Sequence, residues 1–184
     1  MRRSIKSLIV TTCLASALAV GPAHAVAPNS WYAGLSGDAT WFNHSNTGGG
    51  GNVALGYRFS DFRLEGEAGY HLAGGDSGYR DSHYYTYMGN LYYDFNRVFP
   101  ASASGWHVVP YIGAGAGDAM VHYGSNPSAG VLPSAKNDFA YEGMAGFALA
   151  SVSGPDWYLG YRYTGTGSDN LHASNAELGV RFHF

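Results

Sequence analysis

The chain carries one cysteine and two lysines, and past its first 25 residues no apolar run is long enough to cross a membrane as a helix. Each shortage excludes something. Cys13 sits inside the apolar stretch from Leu8 to Val20, not after it, so it is not placed as a lipoprotein cysteine. Arg2, Arg3 and Lys6 precede that stretch and Ala23-His24-Ala25 follows it, the layout of a secretory signal peptide with cleavage before Val26. We therefore expect a signal peptide over 1–25 and one domain over 26–184. Such a domain has no thiol, no disulfide and no cysteine-based metal site, and a small exported fold without those staples needs another source of stability. Removing the signal leaves seven bases against 13 acids, a formal charge of −6, with Lys136 the only lysine. A nucleic-acid partner has no electrostatic footing there.

Helical patterning is also scarce. Glycine takes 27 of 184 positions and aromatics 15%, which favours strands. Apolar and polar residues alternate with period two in eight stretches. The first, 31–42, sets Trp31, Ala33, Leu35, Ala39 and Trp41 against Tyr32, Ser36, Asp38 and Thr40. "GNVALGYRF", "FRLEGEAGYH", "HYYTYMGNLYYDF", "WHVVPYIGAGAG", "DFAYEGMAGFAL", "DWYLGYRYT" and "AELGVRFHF" follow, with parity blurred around Pro110. Long connections rich in Gly, Asn, Ser and Asp (43–51, 72–82, 119–137, 165–173) alternate with shorter ones (60–61, 96–105, 151–155). This is the rhythm of an up-and-down sheet with its working loops at one end.

Alternation does not say which face is inside. A soluble calyx turns its apolar face inward around a ligand, whereas a membrane barrel turns it outward. Two features favour the membrane. The polar face carries Arg58, Arg63, Arg162 and Arg181 with Glu65, Glu67, Asp94, Glu142 and Glu177, near the balance that an interior ion-pair network needs. Aromatics also mark strand ends. Trp31, Trp106 and Trp157 open strands, and Phe59, Phe95 and Phe184 close them, which sets one girdle at one rim. Trp41 lies ten residues from Trp31 on the same face, roughly 25 Å of height in a tilted strand.

"PYIGAGAG" (110–117), "FAYEGMAGFAL" (139–149), "WYLGYRYTGTG" (157–167) and "AELGVRFHF" (176–184), in this order, resemble the small outer-membrane β-barrels of the opacity-protein / OmpA-like group, the "porin family". The resemblance implies an all-β, eight-stranded antiparallel up-and-down transmembrane β-barrel in the cell outer membrane. It implies that the outer-membrane assembly machinery reads the last strand through Phe184, with Leu178, Val180 and Phe182 in phase. It implies lipid and lipopolysaccharide as surroundings, outward loops open to a surface ligand, no cofactor, and no peptidoglycan-binding domain after the barrel. The expected role is structural or surface interaction, with the narrow interior filled by side chains.

Two motifs invite chemistry. "GAGAG" (113–117) lacks the G-x-G-x-x-G spacing and a following helix, so it reads as room for curvature and for large neighbours, not as a nucleotide loop. "HASN" (172–175) resembles the His-x-Ser-Asn stretch of outer-membrane lipid A deacylases and phospholipases. His172 and Ser174 would be base and nucleophile. An orienting acid is the missing part, because Glu177 has the opposite parity. A hydrolase is thus the second reading and a secreted calyx the third. The histidines 44, 71, 83, 107, 122 and 183 show no close ligand spacing, so no metal site is expected.

Overall fold

The period-two stretches become eight antiparallel strands, and the last closes on the first. They are β1 (Asn29–Phe42), β2 (Thr47–Phe59), β3 (Phe62–Ala73), β4 (Ser82–Asp94), β5 (Trp106–Tyr123), β6 (Ser134–Ser151), β7 (Asp156–Thr166) and β8 (His172–His183). The computed structural model describes residues 29–42, 47–73, 82–96, 98–99, 105–123, 134–151, 154–167 and 172–184. The expected signal peptide and its cleavage site lie outside the described residues.

Following paired Cα atoms sideways from Trp31 leads through Tyr57, Leu64, Leu91, Ala114, Gly143, Tyr163 and Ser174, and re-enters β1 at Trp41. The ring closes ten residues out of register, from 31 to 41. At ~3.3 Å per residue and ~4.8 Å between eight strands, that offset tilts the strands about 40° and sets a bore that side chains alone can fill. The Phe184 N–H adds to the seam by donating to the Trp31 carbonyl at 2.9 Å.

Three expectations are corrected. The long connections are shorter than the alternation suggested. β2 already begins at Thr47, so Gly48 to Gly51 are paired strand residues between β1 and β3. β5 and β6 continue to Tyr123 and from Ser134, inside what was read as one loop. A glycine run has no side chains to alternate, so periodicity is blind to it. The blur at Pro110 also resolves. Pro110 pairs with Phe147 in unbroken register, and its carbonyl accepts the Phe95 N–H at 2.8 Å just where β4 has ended. Its missing N–H would have faced that vacated side, so no ladder bond is lost.

The third correction removes the calyx. Leu64, Leu159 and Leu178 are 58%, 60% and 59% exposed, whereas Arg63 is 0% and Asp94 and Arg181 are 2% exposed. The apolar face points outward all round and the charged face inward. At the short-turn rim, Trp31, Phe59, Trp106 and Trp157 face outward. Trp31 meets Tyr57 edge-on, and Phe59 stacks on Phe62. Phe95 differs from its five expected companions: it lies one residue past β4 and is half-buried, edge-on to Tyr93 at 4.9 Å. At the other rim Trp41 is joined by Tyr70, Tyr87, Phe139 and Tyr141, all exposed. The alternation registered these only as apolar, without their height.

Leu178 pairs with Leu159 and Gly37, well between the two girdles. Leu178→Arg should destabilise the barrel by ~2–4 kcal/mol and lower the fraction that shows heat-modifiable gel mobility. Normal assembly of this variant would reverse the inside-out assignment.

Candidate functional site

The interior divides into three layers. Near the short-turn rim, Arg63 Nε donates to both Asp94 carboxylate oxygens at 2.8 and 3.0 Å, and Arg58 reaches Asp94 at 3.2 Å and Asp156 at 3.7 Å. His183 Nε2 sits 2.8 Å from Asp156 and its Nδ1 3.4 Å from Ser30 Oγ. Mid-barrel, Arg162 holds three carboxylates: Glu67, closest and also at 2.7 Å through its second nitrogen, Glu142 at 3.2 Å and Glu177 at 3.1 Å. Near the loop end, Asp38 accepts from Thr40 at 2.8 Å and Asn52 at 3.3 Å and lies 3.3 Å from His71, whose ring stacks on Tyr84 at 4.6 Å.

Of the nine residues expected to form an ion-pair network, seven meet opposite charges in these layers. Two are corrected. Glu65 instead accepts hydroxyl hydrogen bonds from Tyr32 at 2.8 Å and Tyr92 at 3.2 Å. Arg181 lies over the Tyr158 ring at 3.9 Å and the Tyr111 ring at 5.5 Å. Both follow from the tyrosines, which project inward from four strands and bring hydroxyls to the acid and π faces to the base. Sequence reasoning left Asp38, although set on the polar face, and Asp156 out of the network, together with their partners His71 and His183. Parity with Ser36 and Thr40, and with Tyr158, was the available signal.

Glycines make these layers possible. A Cβ on Gly56 or Gly179 would fall on the ring of Tyr32 or Tyr158, and one on Gly113 on Tyr92. The "GAGAG" run is therefore a floor cut away for side chains from β4. Among the described residues a void of about 10 Å³ lies between Asp38, His71, Tyr84, Thr86, Glu142, Arg162, Thr164 and Asn175, about one water.

Of "HASN", His172 and Ser174 lie on the outward face of β8, and Ala173 and Asn175 point inward. Ser174 Oγ shares a 2.8 Å hydrogen bond with Tyr161, and the His172 ring stacks on Tyr163 at 5.6 Å. Neighbouring outward positions on β1 and β7 are Ala39, Trp41, Tyr161 and Tyr163. The structure thus engages the two residues with tyrosines and not with each other. Asp169 falls outside the described residues. No group of three or more metal-ligating side chains occurs among the described residues. On the same face Leu178 and Phe184 are exposed and Val180 and Phe182 half-buried.

Because three acids share one guanidinium, Arg162 is the sensitive member of its cluster. Arg162→Met leaves three buried carboxylates together and should cost at least the ~3–5 kcal/mol of a broken buried pair. Glu67→Gln, which keeps a hydrogen-bonding head and removes like-charge repulsion, should cost clearly less. Urea unfolding midpoints of the two variants test this order, and equal midpoints would mean the cluster is solvated.

A family model described as "Outer membrane protein beta-barrel domain" matches residues 10–184. Among solved structures, the chain is similar to Neisserial surface protein A at 20% identity and a TM-score of 0.66, covering 86% of this chain and 98% of that one. It is similar to the N-terminal β-barrel domain of Pseudomonas aeruginosa OprF at 14% identity and a TM-score of 0.54, covering 85% and 99%. It is also similar to Ail, the attachment invasion locus protein of Yersinia pestis, in complex with the heparin analogue sucrose octasulfate, at 16% identity and a TM-score of 0.51, covering 85% and 97%. At these identities the likeness is one of fold. No curated protein matches. With its apolar face turned outward, its charges sealed inside and the family match extending through β8, the chain belongs to the outer membrane protein β-barrel domain family and is a protein of the cell outer membrane.

Proposed function

We propose that this barrel is a closed scaffold whose work is done at its surfaces, presenting four outward connections and conducting nothing. The observation that carries this reading is the bond between Arg162 and Glu67. It joins β7 to β3, strands on opposite sides of an eight-strand ring, so it spans the bore itself. At other heights Arg58 reaches Asp156 three strands away and Tyr32 reaches Glu65 two strands away. Ions would have to break charge-assisted bonds between buried groups to pass. Purified barrel in planar lipid bilayers should give no discrete conductance steps, and reproducible steps would replace the scaffold reading with a channel.

Charge narrows what the outward loops take. The four described arginines are inside, and after residue 25 the sequence has only Arg80, Arg97 and Lys136 besides. On the loop side Arg80 and Lys136 face Asp76, Asp81, Asp118, Asp138 and Asp169 in the sequence. Such a surface suits neutral or basic partners better than the sulfated ligand in the Ail complex. We further propose that the chain is exported through removal of 1–25, that the assembly machinery reads Leu178, Val180, Phe182 and Phe184, and that lipid and lipopolysaccharide surround the outer face.

The barrel is also proposed not to be a hydrolase. Ser174 and His172 are each engaged by a tyrosine, and the neighbouring outward positions of β1 and β7 supply no carboxylate to orient the imidazole. Expression of the protein should leave the mass of host lipid A unchanged. Loss of an acyl chain that Ser174→Ala abolishes would make the enzyme reading the correct one.

A further inference from the structure

We propose that the β4–β5 connection is a membrane anchor in its own right, with Val98 and Phe99 set into the polar–apolar boundary of the leaflet at the short-turn rim. The chain leaves the wall here because of Pro110. The Phe95 N–H reaches the Pro110 carbonyl at 2.8 Å, but Pro110 has no N–H to return, and the β4–β5 ladder stops at Asp94 and Tyr111. β5 runs on beside β6 as far as Trp106. The segment after β4 is held where the strand would have continued. His107 Nε2 donates to the Phe99 carbonyl at 2.5 Å, and Asn96 Nδ2 donates to Asp61 Oδ1 at 3.1 Å in the turn between β2 and β3. The Val98 N–H donates to the Phe95 carbonyl at 3.3 Å. These bonds fix the height of the segment: Phe95 lies level with Pro110, and Phe99 level with His107, the neighbour of Trp106.

At that height Val98 and Phe99 are 56% and 45% exposed. Adjacent large apolar side chains left open on a connection mark a surface that something covers. The cover is argued from what lies on either side. Phe59 stacks on Phe62, Phe62 meets Tyr93 edge-on, and Tyr93 meets Phe95 edge-on. The girdle resumes at Trp106 on β5. Val98 and Phe99 fall between Phe95 and Trp106, so they continue a band that already faces lipid. Apolar and aromatic side chains at this depth are what interfacial anchors use. A water-soluble partner would have to reach a patch flanked by the girdle on both sides.

Once 1–25 is removed the chain has no cysteine, so Val98→Cys and Phe99→Cys can each carry a single nitroxide label. The labelled barrels are purified from outer membranes and reconstituted into phosphatidylethanolamine/phosphatidylglycerol liposomes. Power-saturation EPR then compares collisions with oxygen, which concentrates in lipid, and with a water-soluble nickel chelate. Both labels should favour oxygen several-fold, approaching a Phe62→Cys label on the outward girdle. Equal access to nickel would place the pair in water, and protection from both agents would place it under protein, a second copy of the chain included. Either result overturns the proposal. Hydroxyl-radical footprinting of the unsubstituted barrel guards against a label that disturbs the segment. Phe99 should be oxidised several-fold less in nanodiscs than in the urea-unfolded chain, and equal oxidation would also overturn the proposal. Conductance and loop binding are separate readouts and do not enter this result.

Discussion

In hydrocarbon no water satisfies a backbone N–H or C=O, and the rest of this structure depends on that constraint. It requires the eight strands to close, and here closure comes with a ten-residue offset between Trp31 and Trp41. The offset fixes tilt and bore together. A bore this narrow must be packed, yet every second residue of every strand points into it. Small residues must therefore oppose large ones along the inside, as Gly56 opposes Tyr32 and Gly179 opposes Tyr158. Even Pro110 obeys the constraint, occupying the place where β4 has no more bonds to offer.

A packed polar interior has its own electrostatic requirement, because a buried charge is tolerated only with partners. The chain meets it with arginine, whose planar, multi-donor head can serve several carboxylates at once. Arg162 does so for Glu67, Glu142 and Glu177. Where the acids outnumber the arginines, tyrosine hydroxyls and imidazoles take the remaining lone pairs, at Glu65, Asp156 and Asp38. One of these bonds, Arg162 to Glu67, crosses the bore between opposite strands. A single set of contacts therefore fills the barrel and ties its walls together, and the proposed closed scaffold rests on it.

Much of this was legible before any coordinates. Alternation gave the strands and their two faces, since a period of two is a direct image of the pleat. The nine charged positions, Trp31 and Trp157 at strand starts and Leu178 on the outward face of β8 all sit where the pattern put them. Legibility failed where side chains carry no alternation or where partners are far apart in sequence. The glycines from 48 to 51 read as loop, Asp38 was set on the polar face without being counted among its network charges, and Asp156 passed unremarked. His172 and Ser174 suggested a joint role from their spacing alone, yet on a strand they are separate outward positions, each facing its own tyrosine of β7.

The sequence by itself determined the fold class, the polarity of the two faces and the girdle at the short-turn rim. Those depend on local period and on residue type at strand ends, and both are written in order along the chain. Only the tertiary structure decided which charge meets which. Glu67 and Arg162 are 95 residues apart in sequence and become partners solely because closure sets β3 across from β7. It alone separated glycines that accommodate a tyrosine, such as Gly56, from outward glycines that meet only a backbone carbonyl, such as Gly66. A missing side chain has no meaning until the surface opposite it is known.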